Sequence, residues 1–230
     1  MEAGTSGKRV LVVERILSAN DRLAEENRRL LDARGILAVN LMASPGAGKT
    51  SLIRRTVEAL GGRLRLGAIE GDLAGTLDAD LLASMGIPAV QINTGGGCHL
   101  EAQMVREALE RLPLDHLDLV IIENVGNLVC PSEFSLGAQR SVVIASVPEG
   151  DDKPYKYPNI YRGIQALVLN KMDLLPYLEF NLDRFRRGVE VLNPGVAFFP
   201  LSCKTGEGLD AWLAWLEEAL EEVRGRRATA

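Results

Sequence analysis

Short aliphatic and β-branched runs alternate along the chain with longer stretches whose apolar residues recur at three- and four-residue steps. Runs of the first kind predict strands at 36–43, 64–69, 89–93, 117–123, 141–147, 166–170 and 197–201. Stretches of the second kind predict helices at 48–60, 77–85, 99–112, 178–192 and 209–223. Strands that alternate with helices in this way build a mostly parallel sheet flanked by helices, an α/β fold. Ahead of the first strand, Ile16, Leu23 and Leu30 repeat every seven residues with Leu17, Ala24 and Leu31 beside them. One apolar face of a helical extension at roughly 16–34 follows, expected to pack on a single domain spanning 1–230. The stretch 148–163, rich in Pro, Gly, Asp, Lys and Tyr, reads as the one long irregular connection.

Composition narrows the classes. Hydrophobic residues make up 47% of the 230, and charged residues 25%, which is ordinary globular composition rather than that of a disordered chain. A net charge of -5 argues against a nucleic-acid footprint; the basic residues near Arg224, Arg226 and Arg227 read as a frayed, solvated helix end. No apolar run reaches membrane-spanning length, and Leu11-Val12-Val13 is too short for a signal-peptide core, so a cytoplasmic protein is expected. Three cysteines, Cys98, Cys130 and Cys203, are too few for a disulfide framework.

The sharpest local signal is Ala43-Ser-Pro-Gly-Ala-Gly-Lys-Thr50, which leaves a predicted strand and enters a predicted helix. That context suits a phosphate-binding P-loop. Gly46, Ala47 and Gly48 would close backbone amides around phosphate oxygens, Lys49 would reach the outer phosphates, and Thr50, followed by Ser51, would offer a hydroxyl to magnesium. Downstream, Asn170-Lys171-Met172-Asp173 closes another strand, and its aspartate can accept both donors on the Watson-Crick edge of guanine. Adenine presents an acceptor there, which would leave a buried carboxylate unpaired at a cost of about 1–3 kcal/mol or more. Ser202-Cys203-Lys204 follows a further strand and resembles the loop by which GTPases support base recognition, which puts Cys203 beside the base rather than at a metal. Asp72 and Glu123, both at strand ends, are the acids available for the magnesium shell and the attacking water, with their two roles unassigned by spacing. Neither a water-positioning glutamine nor an arginine finger is evident, so slow turnover is expected without a partner or a dimer.

A second constellation is made of sulfur and imidazole: Cys98 and His99 in Gly95-Gly-Gly-Cys-His-Leu100, with Cys130 in Asn127-Leu-Val-Cys-Pro131. Each follows a predicted strand, and in a parallel sheet all strand C-termini share one edge. Cys98 and His99 are also read as opening a helix, whose dipole would favour thiolate. Thiolates with imidazole suit zinc or nickel. By residue type alone the structural alternative stands slightly ahead, since a buried cysteine is commonly a small hydrophobe and a lone histidine a structural group.

Taken together, the motifs resemble the hydrogenase nickel-incorporation GTPases, the HypB family, from about Ala19 to Val223. The matching signatures are the P-loop, Glu70-Gly-Asp72, Gly95 to Leu100, Glu123-Asn-Val-Gly-Asn-Leu-Val-Cys-Pro131, Glu149-Gly-Asp-Asp-Lys-Pro154 and Asn170-Lys-Met-Asp173. The resemblance implies a SIMIBI-type P-loop fold, GTP and GDP as ligands with Mg2+, and GTP-promoted homodimerisation. It also implies nickel or zinc at Cys98, His99 and Cys130, a HypA-type metallochaperone as partner, and delivery of nickel to the large subunit of [NiFe]-hydrogenase. Some members carry an N-terminal Cys-x-x-Cys-Gly-Cys site or a His-rich tract; neither occurs in these 230 residues, so strong nickel storage there is not expected. Lys153 would either approach phosphate in the dimer or stay a solvated loop lysine. Rival readings are a sibling GTPase serving urease or cobalamin enzymes, and a metal-binding scaffold whose nucleotide is structural. Urease relatives are expected to show Cys-Pro-His where this chain has Cys98-His99-Leu100.

Overall fold

The computed structural model describes residues 6–72 and 82–229, and of residues 6–16, 72, 228 and 229 the backbone alone. Seven strands, β1 (Leu37–Ala43), β2 (Leu66–Asp72), β3 (Ala89–Asn93), β4 (Leu119–Glu123), β5 (Arg140–Ser146), β6 (Ala166–Asn170) and β7 (Ala197–Pro200), form one sheet in the order β3-β2-β4-β1-β5-β6-β7. Every pairing is parallel.

The long helices are α1 (Ser6–Asp32), α2 (Lys49–Leu60), α3 (Ala102–Leu109), α4 (Leu182–Leu192) and α5 (Leu209–Thr229). Successive side chains of the central strands serve opposite faces. Leu37, Val39 and Leu41 join Leu119 and Ile121 beneath α2 and α5, with Leu52, Val57, Trp212 and Leu216 filling that layer. On the other face Ala38, Val120 and Ile122 meet Leu31 of α1 and Val105 and Leu109 of α3, while Val143, Leu167 and Leu169 meet Phe185 and Val189 of α4. Coverage of both faces explains why β1, β4 and β6 are buried throughout and read as continuous apolar runs.

The expected parallel α/β architecture is what forms, and the structure corrects several details. The third helix starts at Ala102 after Glu101, so Cys98 and His99 lie on the loop before it and gain nothing from its first turn. The connection 148–163 is largely ordered into short pieces: Val147–Glu149, closed by a capping box between Ser146 and Glu149, then single helical turns at Lys153–Lys156 and Pro158–Tyr161. The basic C-terminal segment is no frayed end. Arg224 pairs with Asp118 at 2.7 Å and Arg227 donates to the Arg34 carbonyl at 3.1 Å. The expected helix at 77–85 falls largely outside the described residues. No helix among the described residues is long and apolar enough to cross a membrane.

Candidate nucleotide and metal site

The P-loop joins β1 to α2 with two glycines in the left-handed region, Gly46 at φ 77° and Gly48 at φ 106°. A Cβ on Gly48 would also overlap Nδ2 of Asn170, so this position admits no side chain on either count. Asn170 is buried at the end of β6 and uses its whole amide: Nδ2 donates to the Ala47 carbonyl at 3.0 Å, and Oδ1 accepts from the backbone N–H of Lys171 at 2.7 Å and of Cys203 at 3.1 Å. One side chain thereby joins the P-loop to the loops that follow β6 and β7.

Lys171 adopts φ 62°, the one non-glycine residue with positive φ among those described, and its Nζ donates to the Gly46 carbonyl at 2.7 Å. Asp173 accepts from the Ser202 hydroxyl at 2.6 Å, which fixes its carboxylate from the neighbouring strand end. Cys203 is buried and its thiol is pushed up to about 11 by that burial, while Lys204 is exposed and its carbonyl accepts from Arg55. Cys203 is therefore a packed, protonated neighbour of the base loop, away from the other two cysteines.

On the phosphate side, Glu123 at the end of β4 faces the loop. Its carboxylate lies 3.8 Å from Lys49 Nζ and accepts from the Thr50 hydroxyl at 3.4 Å. Both partners of the Lys49–Glu123 pair are nearly buried, so each charge depends on the other for compensation. Ser51 lines the same cavity of about 450 Å3. Glu70 lines it too, buried and in register with Glu123 on β2, and it is a residue the sequence reading passed over except as part of a motif. Asp72 ends β2, and its side chain lies outside the described residues.

The chain that leaves Glu123 leads directly to the sulfur site. Asn124, fully buried, accepts from the N–H groups of Leu100 and Val125 at 3.2 and 2.9 Å and donates to Asn40 at 3.2 Å. A Cβ on Gly126 would come within 3.1 Å of Pro45 in the P-loop. Asn127 then donates to the Cys98 carbonyl at 3.2 Å, three residues before Cys130.

Cys98, His99 and Cys130 come together, with their ligand atoms all within 4.8 Å of one another. The two sulfurs are 2.9 Å apart and Cys98 Sγ is 3.6 Å from His99 Nδ1. Sharing a proton with Cys98, then partial burial, holds the Cys130 thiol above its ordinary range. The His99 ring stacks on Phe134 at 3.9 Å; its Nδ1 faces Cys98 Sγ, and its buried Nε2 lies 3.8 Å from the Glu101 carboxylate, beyond hydrogen-bond distance. Two thiols and an imidazole on opposed loops fit a borderline divalent ion such as nickel or zinc. Nothing in the pattern of positions pointed to Phe134 or Asn127, because their roles exist only once the two loops are side by side.

A seven-stranded parallel sheet with a P-loop between β1 and α2 defines a P-loop nucleotide-binding protein of the SIMIBI type. Residues 37–200 match the family of CobW/HypB/UreG nucleotide-binding domains. The hydrogenase maturation factor HypB of Escherichia coli K12 is 46% identical over 215 residues, covering 93% of this chain and 74% of that protein. The crystal structure of HypB from Helicobacter pylori in complex with nickel superposes with a TM-score of 0.85 at 37% identity, over 89% of this chain and 96% of the other. The LAO/AO transport system kinase, at 16% identity and a TM-score of 0.55, shares the fold alone. The chain belongs to the HypB family of hydrogenase maturation factors.

Proposed function

We propose that the protein hydrolyses GTP and couples its nucleotide state to dimerisation and to nickel carried at Cys98, His99 and Cys130 during [NiFe]-hydrogenase maturation. The observation that carries this reading is continuity. One short segment begins at Glu123, against Lys49 and Thr50, and ends at Cys130, while Gly126 rests on Pro45 and Asn127 holds the Cys98 carbonyl. A change in what occupies the P-loop therefore bears on both arms of the metal site.

In this reading Asp173, aimed by Ser202, selects guanine, and Lys49 balances charge on the outer phosphates. Magnesium, taken by the Thr50 hydroxyl with Asp72, supplies further neutralisation of the phosphates when bound. Asp72 and Glu123 divide the metal shell and the orientation of water between them. Nickel is cargo: deprotonated Cys98 and Cys130 and the His99 imidazole hold it, and three ligands leave a position for a water or for transfer to a client. GTP-promoted pairing of two copies, a HypA-type nickel metallochaperone and the hydrogenase large subunit are the partners this reading assigns, in the cytoplasm. The HypB of Escherichia coli is named for hydrogenase maturation, and the nickel complex of the Helicobacter pylori protein supports the cargo.

Phosphate release from GTP, measured for the wild type and for Lys49→Ala, tests the enzymatic half. Wild-type turnover that falls by at least about 100-fold in the variant is expected, on the scale of losing one electrostatic contact to the transferring phosphate. Release that is insensitive to Lys49 would leave a metal-binding scaffold with a structural nucleotide.

A further inference from the structure

The long helix α1 packs against α3, α5 and β1, and its buried face carries two asparagines. Asn20, Ala24, Asn27 and Leu31 recur at steps of four, three and four, and all four are buried. A buried amide destabilises unless it is hydrogen-bonded, so where these amides reach is informative.

Asn20 Oδ1 accepts from the N–H of Ala102 at 2.8 Å, at the start of α3, and Asn20 Nδ2 donates to the Ser135 carbonyl at 2.8 Å. Asn27 Nδ2 repeats the bridge, donating to the Ala102 carbonyl at 2.8 Å and to the Leu136 carbonyl at 3.2 Å. The two segments bridged are those carrying the metal ligands. Ala102 follows His99 by three residues; Ser135 follows Phe134, the ring on which His99 stacks at 3.9 Å, and Cys130 lies just upstream. The contacts close a ring: Asn20 to Ala102, along the chain to His99, across the stack to Phe134, and through Ser135 back to Asn20.

We propose that Asn20 and Asn27 are positioning residues for the thiolate and imidazole ligands, with α1 setting the separation of the loop carrying Cys98 and His99 from the loop carrying Cys130. The proposal rests on the metal-site reading above. Its physical content is preorganisation: loops already held at the ligating separation lose less freedom when an ion joins them. Groups behind metal ligands typically contribute 10- to 100-fold in affinity. These amides act from several residues away, so about 10-fold is expected.

Two variants of the full chain separate positioning from general support. Asn20→Ala removes both hydrogen bonds. Asn20→Asp keeps the acceptor for Ala102 but turns a carboxylate oxygen toward the Ser135 carbonyl, so the contact to the Cys130 side is broken while the one to α3 stays. Titration with nickel chloride against a chromophoric chelator, together with the thiolate-to-nickel charge-transfer absorption, reads the metal site. The thermal midpoint without metal and the affinity for GDP read the rest of the molecule. Nickel binding about 10-fold weaker in both variants, with an altered charge-transfer band, is expected at a temperature well below both midpoints, where GDP affinity should be unchanged. Wild-type nickel affinity in Asn20→Asp, or weakening that only follows a falling midpoint, would overturn the proposal. Cys98→Ala is the control: if it and the wild type bind nickel alike, the metal-site reading fails first and the positioning role with it.

Discussion

Gly48 shows how much a single position can carry. Its φ of 106° and the closeness of Asn170 Nδ2 exclude any β-carbon, and the same asparagine supports Ala47, Lys171 and Cys203. Gly48→Ala must both strain the backbone, by about 1–3 kcal/mol, and displace Asn170. Strain alone corresponds to a loss of roughly 5- to 150-fold in affinity. GDP titration should show at least that loss, and binding equal to the wild type would mean that the loop adapts. The glycine and the asparagine were both legible as motif letters; that they meet in space was not, because 121 residues of intervening chain separate them.

At the scale of elements, the sheet has a chemical edge and a structural edge. Asp118, just before β4 at the edge opposite the site, accepts from Arg65 through its side chain at 2.8 and 3.0 Å and its backbone N–H at 2.8 Å, and from Arg224 of α5 at 2.7 Å. The hydrogen bonds from Arg65, working against burial, lower its carboxyl to about 2. A carboxyl depressed on folding adds stability above the unfolded value, near 4, and loses it as the pH falls toward 2. Asp118→Asn should therefore lower the thermal midpoint by a few degrees at pH 7, and the two curves should converge between about pH 4 and 2. Nucleotide and nickel affinities should be unchanged, since the network is on the far edge. A difference that persists undiminished at pH 2 would show that shape rather than charge is what Asp118 contributes. The elements themselves were largely readable. The 89–93 and 166–170 strands form as expected, and the other strands shift at their ends by one to three residues, most at β2, expected at 64–69 and formed at Leu66–Asp72. The helix is expected from 99 because the apolar period extends back through Leu100; it begins at Ala102, and Leu100 joins the core layer of Val105 and Leu109 from the preceding loop, its N–H donating to Asn124.

For the whole molecule, the segment from Glu123 to Cys130 makes a quantitative demand. If nucleotide state alters nickel affinity by some factor, nickel must alter nucleotide affinity by the same factor. Paired titrations, nickel against the GDP and GTP-analogue forms and each nucleotide against the metal-free and nickel-loaded forms, should return one shared ratio, within about 5- to 150-fold for ordinary coupling. A ratio of one in both directions would uncouple the sites.

What the sequence by itself determined was whatever depends on local order: the alternation of strand and helix, the P-loop between them, the base-reading motif, and the cysteine and histidine letters. These follow from residue type and spacing along one stretch of chain. Only the tertiary structure decided which letters meet. Parallel pairing of β3, β2, β4 and β1 brings the Cys98 loop beside the Cys130 loop and Glu123 against Lys49. The asparagines of α1, which no motif or period singled out, sit where two distant loops expose backbone groups that need partners. A hydrogen bond between remote segments depends on their separation in space, and that separation is a property of the folded sheet rather than of any local pattern.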